Sequence, residues 1–260
     1  SLPGKDPFRL IPQLEKTGKG CLIVYDHFKY HDRPGGKTME TKPFSEDLPY
    51  WVTRKGEVKK TSWPGGTTSQ LFLFPGDADL EKRDFTFRVS TASVDVERST
   101  FTPFEGFDRI IMTIDNDLAL SHDGREEITL KKFEPHLFDG GAETRSRGKV
   151  RDFNCIMDRK ACRGETMAMT LAKGSVLYPR KGNYGAGLEL EIIYCAAGRL
   201  TFRYNEIVER LDQGDVLAIG HGLMDGRYRL SNEEDQPCDL VITLIRVGLG
   251  EGAAPSFSGA

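Results

Sequence analysis

IIMTIDNDLALSHDG (Ile110–Gly124) and EIIYCAAGRLTFRYN (Glu191–Asn205) decide the fold, because the first can be laid over the second with Ile110 set on Ile192. Asn116 then meets Gly198, Leu118 meets Leu200 and Leu120 meets Phe202. Each copy reads as a strand, a tight turn and an alternating strand. A charged hairpin follows each (DGREEITL, NEIVERL), and then another apolar strand (HLF, VLAI). Two copies of a hairpin-rich unit roughly 80 residues apart predict a duplicated all-β barrel.

The rest of the chain agrees. FTFRVSTASV, ETMAMTLA, DVLAIG and CDLVITLIRV are strand candidates, and DNDL, HDGRE, KGNYGAG and DQGD are turns. FTFRVSTASV alternates, with Phe85, Phe87, Val89 and Thr91 on one face and Thr86, Arg88, Ser90 and Ala92 on the other. No long stretch carries helical periodicity, and Pro49 limits EDLPYWVTRKGEV to about one turn. The expected organisation is an N-terminal extension (1–49) packing on the first barrel, a first barrel (50–145), a second barrel (146–250) and a tail (251–260).

Composition narrows the function. The chain has 260 residues, 38% hydrophobic and 29% charged, with a formal charge of -3, which argues against a dedicated nucleic-acid surface. No apolar run is long enough to span a bilayer, and the N-terminal residues lack a signal-like apolar stretch, so a cytoplasmic location is expected. Five cysteines with no CxxC pair point away from a disulfide scaffold or structural zinc. Cys195, among strand formers, reads as a small core residue.

Catalytic chemistry leaves few marks. The histidines are His27, His31, His122, His136 and His221, and no His-x-His pair occurs. His27 and His31 on a strand would stand about 13 Å apart, too far to share an ion. In the second copy, Tyr194 and Ala196 occupy the position where many cupins carry their His-x-His, and His221 stands without partners. No dedicated metal site and no cofactor are expected. There is no GxSxG elbow, Walker A loop or GxGxxG fingerprint. What remains is a set of arginines in strand contexts: Arg88 beside Ser90, Arg109 on a mostly apolar face with Phe107 and Ile111, and Arg151 near Asn154. An arginine on such a face needs a partner, either an internal carboxylate such as Asp108 or Asp152, or a carboxylate ligand.

Five motifs in order carry a family resemblance. They are WPGGTTSQL (Trp63–Leu71), FRVSTA (Phe87–Ala92), F-x-PFEGFDR (Phe101–Arg109), LFDGG (Leu137–Gly141) and G-x-VRDFNCIM (Gly148–Met157). Together they resemble the HutD/Ves family, over about Tyr50 to Val247. The resemblance implies a double-barrel bicupin fold without cupin metal ligands. It also implies a role in bacterial histidine utilisation, as a sensor or governor of a small carboxylate such as urocanate, formylglutamate or formate. Carried over by position, the ligand-binding residues are Trp63, at the rim, with Thr67, Thr68, Gln70, Arg88, Ser90, Arg109, Arg151 and Asn154. Plain alternation puts Thr68, Gln70, Phe72 and Phe74 on one face and Thr67, Ser69, Leu71 and Leu73 on the other. The sequence departs from the family at the proline of WPGG and at VERSTFTPF. The first expectation is thus a non-catalytic carboxylate-binding regulator. The competing ones are a metal-independent isomerase, lyase or hydrolase with His136 as acid or base, and a module dimerising through the CLIVYDHF edge.

Overall fold

The computed structural model describes residues 13–17, 20–24, 49–178, 188–221 and 228–248, and among them every regular element is a β-strand. β1 (Gln13–Thr17), β2 (Gly20–Val24) and β3 (Tyr50–Thr53) precede the first barrel. That barrel is built from β4 (Lys59–Trp63), β5 (Gly66–Phe74), β6 (Phe87–Val94), β7 (Arg98–Thr100), β8 (Phe107–Thr113), β9 (Leu118–His122), β10 (Ile128–Leu130), β11 (Pro135–Asp139), β12 (Thr144–Arg147) and β13 (Val150–Asp158). Its larger sheet runs β11-β8-β13-β6-β5-β4, and β10-β9-β12-β7 covers it.

The second barrel uses β14 (Cys162–Leu171), β15 (Val176–Leu177), β16 (Leu188–Ala197), β17 (Arg199–Tyr204), β18 (Ile207–Asp212), β19 (Val216–His221), β20 (Tyr228–Ser231) and β21 (Cys238–Val247). One sheet runs β14-β21-β16-β19-β3 and the other β1-β2-β15-β20-β17-β18. The repeated strand–turn–strand is therefore β8-β9 in one barrel and β16-β17 in the other, and in each the chain passes from the sheet at the shared core to the covering sheet. Ile110 and Ile192, matched in sequence, meet in one core.

That core joins the two units. Phe87, Val89, Ile110, Met112, Phe153 and Cys155 on the larger sheet of the first barrel pack with Leu190, Ile192, Tyr194, Val216, Val241 and Ile245 on the facing sheet of the second. Alternation on both sheets sends one set of side chains into this interface and the other into its own barrel. The interior of the second barrel is filled by Ile193, Cys195, Phe202, Leu217, Leu230 and Leu240 among others. Cys195 and Cys238 belong to this filling, and the contact with Cys238, then burial, push the Cys195 thiol well up.

Three sequence expectations shift. β13 stays in the first barrel's sheet, paired with β6 and β8, so that unit runs to Asp158 and a division after residue 145 cuts through β12. The N-terminal strands join the second barrel rather than packing on the first: β2 pairs in parallel with β15, and β3 pairs with β19. β1 covers the free side of β2, so the described part of CLIVYDHF is not a sheet edge. His27, His31 and the tail lie outside the described residues.

A shared core makes a single unfolding unit. Phe153, fully buried where the barrels meet and 6.1 Å from the Tyr194 ring, is its most direct probe. Phe153→Ala is expected to cost about 3–5 kcal/mol in denaturant unfolding and to leave one transition. Two separated transitions in the wild type would show that the barrels unfold independently.

Candidate functional site

Strand pairing sorts the interior of the first barrel into rows, because residues directly opposite on neighbouring strands share a face. One row runs Trp63, Gly66, Val94 and Val150. The next runs Thr68, Ala92, Asp152 and Thr113. A third holds Gln70, Ser90, Asn154, Ile111 and His136. The fourth holds Leu73, Arg88, Ile156, Arg109 and Phe138. Ile111, Val94, Val150 and Phe138 meet Leu118, Leu120 and Leu130 of the covering sheet, which identifies this face as the barrel interior.

The rows make a polar band between two apolar ends. Trp63, Val94, Val150 and Leu118 gather at one end, and Phe85, Phe107, Ile156, Leu73 and Phe104 at the other. Five buried side-chain atoms lack a hydrogen-bond partner among the described residues: Trp63 Nε1, Gln70 Oε1, Arg88 Nε, Arg109 Nε and Asn154 Oδ1. All five belong to these rows. A buried polar group left unpaired costs on the order of 1–3 kcal/mol, so five in one barrel is not incidental packing.

The arginines are the extreme case. Arg109 is 6% exposed, and its guanidinium lies over the rings of Phe101 at 5.0 Å, Phe138 at 5.2 Å and Phe104 at 5.9 Å. Its one hydrogen bond is a long contact, 3.4 Å, from Nη1 to the Thr102 carbonyl. Burial lowers its pKa to about 10, so it stays charged at neutral pH. Burial lowers Arg88 as well. Among the described residues neither arginine forms an ion pair. Asp108 pairs instead with Arg159 at 2.7 Å. Asp152 is close enough to act on both arginines electrostatically, but it accepts a hydrogen bond from the Ala92 backbone, and burial pushes its pKa up to about 7.

The sequence-derived residues divide accordingly. Trp63, Thr68, Gln70, Arg88, Ser90, Arg109 and Asn154 are brought together inside the barrel. Trp63 is half-buried and packs against the apolar cluster at one end of the barrel interior. Its indole lies against Gly65, where an added Cβ would sit 1.8 Å from the ring, while a Cβ on Gly66 would meet the Ser93 carbonyl oxygen at 1.8 Å. The glycine pair therefore seats the tryptophan. Thr67 pairs with Ser93 on the opposite face, one residue out of phase with the interior. Arg151 is also out of phase, and its Nε donates to Asp115 at 3.0 Å; the internal-carboxylate reading holds for this arginine alone. Plain alternation along β5 fails at a bulge between Gln70 and Phe72. Beyond it Phe72 and Phe74 stack on Phe87 towards the second barrel, at 5.7 and 5.5 Å, and Leu73 takes the interior place beside Arg88.

Two histidines were less legible. His136 lies in the Asn154 row, and its Nε2 is 3.0 Å from Nε2 of His122. The Thr144 hydroxyl donates to the Ala142 carbonyl, so it accepts from His122 Nδ1 at 2.9 Å. His122 Nε2 must then accept from His136, which retains Nδ1 as an acceptor. Burial, and then His122, push His136 down to about 4, so the pair is neutral at neutral pH. His122 is in phase with Leu118 and Leu120 along β9, a signal that alternation offers once the interior face is known.

The second barrel supplies a comparison. The offset that sets Ile110 on Ile192 sets Arg109 on Glu191, which also faces its own barrel interior. Glu191 is satisfied within the chain, accepting from His221 Nε2 at 3.0 Å and from the Tyr228 hydroxyl. His221 thus has a partner, contrary to its sequence reading. Tyr194 and Ala196 lie in the interface between barrels, and the interior positions on β16 are Glu191, Ile193 and Cys195. No group of three or more His, Cys, Asp or Glu among the described residues is arranged to hold a metal ion. An open groove of about 450 Å³ lined by Arg203, Glu206, Val208 and Arg229 lies on the second barrel, away from the unpaired atoms.

Two barrels packed through facing sheets, the larger sheet of the first and the five-stranded sheet of the second, and each closed by a second sheet, define a bicupin, and the polar interior of the first makes it a candidate ligand-binding one. The chain belongs to the HutD family, whose sequence profile matches residues 55–235. It is similar to a conserved protein of unknown function from Pseudomonas aeruginosa PAO1, at 20% identity and a TM-score of 0.62 over 75% of this chain and 98% of that one. HutD from Pseudomonas fluorescens SBW25, solved in a formate condition, is 21% identical with a TM-score of 0.56, covering 75% and 97%. Vicilin from Solanum melongena shares the fold at 9% identity and a TM-score of 0.55, covering 75% and 84%. Comparison with curated proteins gives no match.

Arg109→Met keeps much of the length while removing an unpaired buried charge. Exchange of buried charge for apolar volume is often neutral or stabilising by about 1–4 kcal/mol, so the ligand-free variant is expected to unfold at equal or higher denaturant than the wild type. A clear loss of stability would show that the phenyl cage already offsets the burial of the guanidinium.

Proposed function

We propose that the chain is a non-catalytic protein that binds a small carboxylate inside its first barrel, and that it acts as a cytoplasmic sensor or regulator linked to histidine or amino-acid utilisation. The observation that carries this reading is the presence of three unpartnered buried donors, Trp63 Nε1, Arg88 Nε and Arg109 Nε, in one barrel interior. A carboxylate offers planar acceptor oxygens that match guanidinium donors and the Trp63 N–H. Phe101, Phe104 and Phe138 around Arg109 keep water from competing for that charge.

Two comparisons support the choice of ligand class. The vicilin of Solanum melongena has different anionic ligands in structurally similar pockets. The HutD structure from Pseudomonas fluorescens comes from a formate condition. Membership in the HutD family supports the link to histidine utilisation.

A thermal-shift series with urocanate, histidine, formylglutamate and formate tests the reading. At least one carboxylate is expected to raise the midpoint, by an amount that grows with concentration, and Arg88→Ala and Arg109→Ala should each abolish the rise. A flat response to all of them, or a rise that survives Arg109→Ala, would remove the assignment.

A second reading is favoured by one observation, the His122–His136 pair in the same interior. Neutral His136 with a free Nδ1 acceptor is a competent general base, which makes a metal-independent enzyme the alternative. Turnover of a bound acid that is lost in His136→Gln while the thermal shift persists would favour it.

A further inference from the structure

The interior of the first barrel contains three formal charges that no ion pair among the described residues neutralises. Arg88 and Arg109 are two cations, and Asp152, 5% exposed, is one anion. They share one interior, Asp152 in the second row beside Ala92 and the two arginines in the fourth on either side of Ile156, with the Ser90–Asn154 row between, and Asp152 acts on both arginines through charge. We propose that Asp152 is a specificity residue that sets the charge of the ligand at minus one, so that the site takes monocarboxylates and excludes their dicarboxylate isosteres while Asp152 is ionised. This rests on the carboxylate reading above and adds the charge of the ligand to it.

The charge count inside the barrel gives the reason. Two guanidinium groups and one carboxylate leave a single uncompensated positive charge, which one anionic group neutralises. A second anionic group on the ligand would bury an excess negative charge, and a buried excess charge is shed by protonation rather than tolerated. Asp152 is the group able to take that proton.

The surroundings of Asp152 leave no other titrating group to do so near pH 7 to 8. On β5 it faces Thr68 and Gln70, and Lys59 of β4 lies exposed at the end of the Gln70 row. On β8 it pairs with Thr113 and on β6 with Ala92, and Arg109 and Arg88, two rows along the same face, act on it through charge. Asp115, in the turn after β8, is tied to Arg151. From the covering sheet and β11 come Leu118, Leu120, His122, Thr144 and His136, and both histidines titrate below their ordinary range because of burial.

The sign of the pH dependence follows. Asp152 is held up to about 7 by burial, so it is ionised at pH 8 and largely protonated at pH 6. A dicarboxylate binds with uptake of a proton by Asp152, and its affinity rises as pH falls through that range. A monocarboxylate needs no such proton and changes little.

Isosteric pairs isolate charge from size: oxalate against oxamate, and succinate against succinamate, titrated into the full-length protein by calorimetry. At pH 8 the monoanion of a pair is expected to bind about tenfold tighter than the dianion, and the gap to close towards pH 6, since linkage to one proton moves affinity by up to about tenfold per pH unit. Asp152→Asn should remove the gap at pH 8. If that variant does not fold, proton uptake by the wild type decides. About one proton per dianion and about none per monoanion are expected, read from the heats in two buffers of different protonation enthalpy. Equal affinities within a pair at pH 8, equal proton uptake, or a gap unchanged in Asp152→Asn would overturn the proposal while leaving the carboxylate site standing. If neither acid of either pair binds, the carboxylate site falls with it.

Discussion

Two guanidinium groups, Arg109 buried and Arg88 half-buried, stand in the first barrel without an ion pair among the described residues, and the rest of the architecture follows from how the chain holds them there. Arg88 and Arg109 stand in one row, on strands separated by β13, with Ile156 between them. The bulge in β5 turns Phe72 and Phe74 out of the barrel towards the shared core and lets Leu73 take the place beside Arg88. Phe101, Phe104 and Phe138 surround the deeper guanidinium. Each arrangement excludes water from a charge that the chain does not neutralise, which disfavours the empty state and favours an anion.

The second barrel shows that the fold does not demand this. At the position matched to Arg109 it has Glu191, and that carboxylate receives donors from His221 and Tyr228 of the same chain. Its remaining interior is closed by aliphatic and aromatic side chains. One barrel therefore satisfies its buried charge internally, and the other leaves donors and acceptors open. The facing sheets that separate the two interiors bury a common apolar core, so a change of occupancy in the first barrel acts on the stability of the whole molecule.

Much of this was legible in the sequence. The Ile110 and Ile192 repeat located the duplicated strand–turn–strand units, and alternation along FTFRVSTASV placed Arg88 and Ser90 together on the face opposite Phe87 and Val89. The motif residues of WPGGTTSQL and VRDFNCIM led to Trp63, Gln70 and Asn154. What failed did so for local reasons. A bulge adds a residue that alternation cannot anticipate, so the faces of Phe72 and Phe74 were reversed. Thr67 and Arg151 belong to motifs whose other members face inward, but a strand offers every second residue to the opposite side. His122 and His136 meet only because β9 and β11 come from different sheets of one barrel, a contact that spacing along the chain does not encode. Asp152 was read as an arginine partner, whereas it lies near both arginines and bonds to neither.

The account stands on the claim that Arg88 and Arg109 Nε–H groups are empty donors inside the first barrel. Nitrogen-15 NMR of arginine-labelled protein reads them individually, with Arg88→Lys and Arg109→Lys giving the assignments. On titration with a binding monocarboxylate, the Nε–H resonances of these two residues are expected to shift downfield together and to exchange more slowly with water, while that of Arg151, bonded to Asp115, stays in place. Resonances of Arg88 and Arg109 that do not move when a carboxylate binds would contradict the claim and put the ligand elsewhere in the molecule.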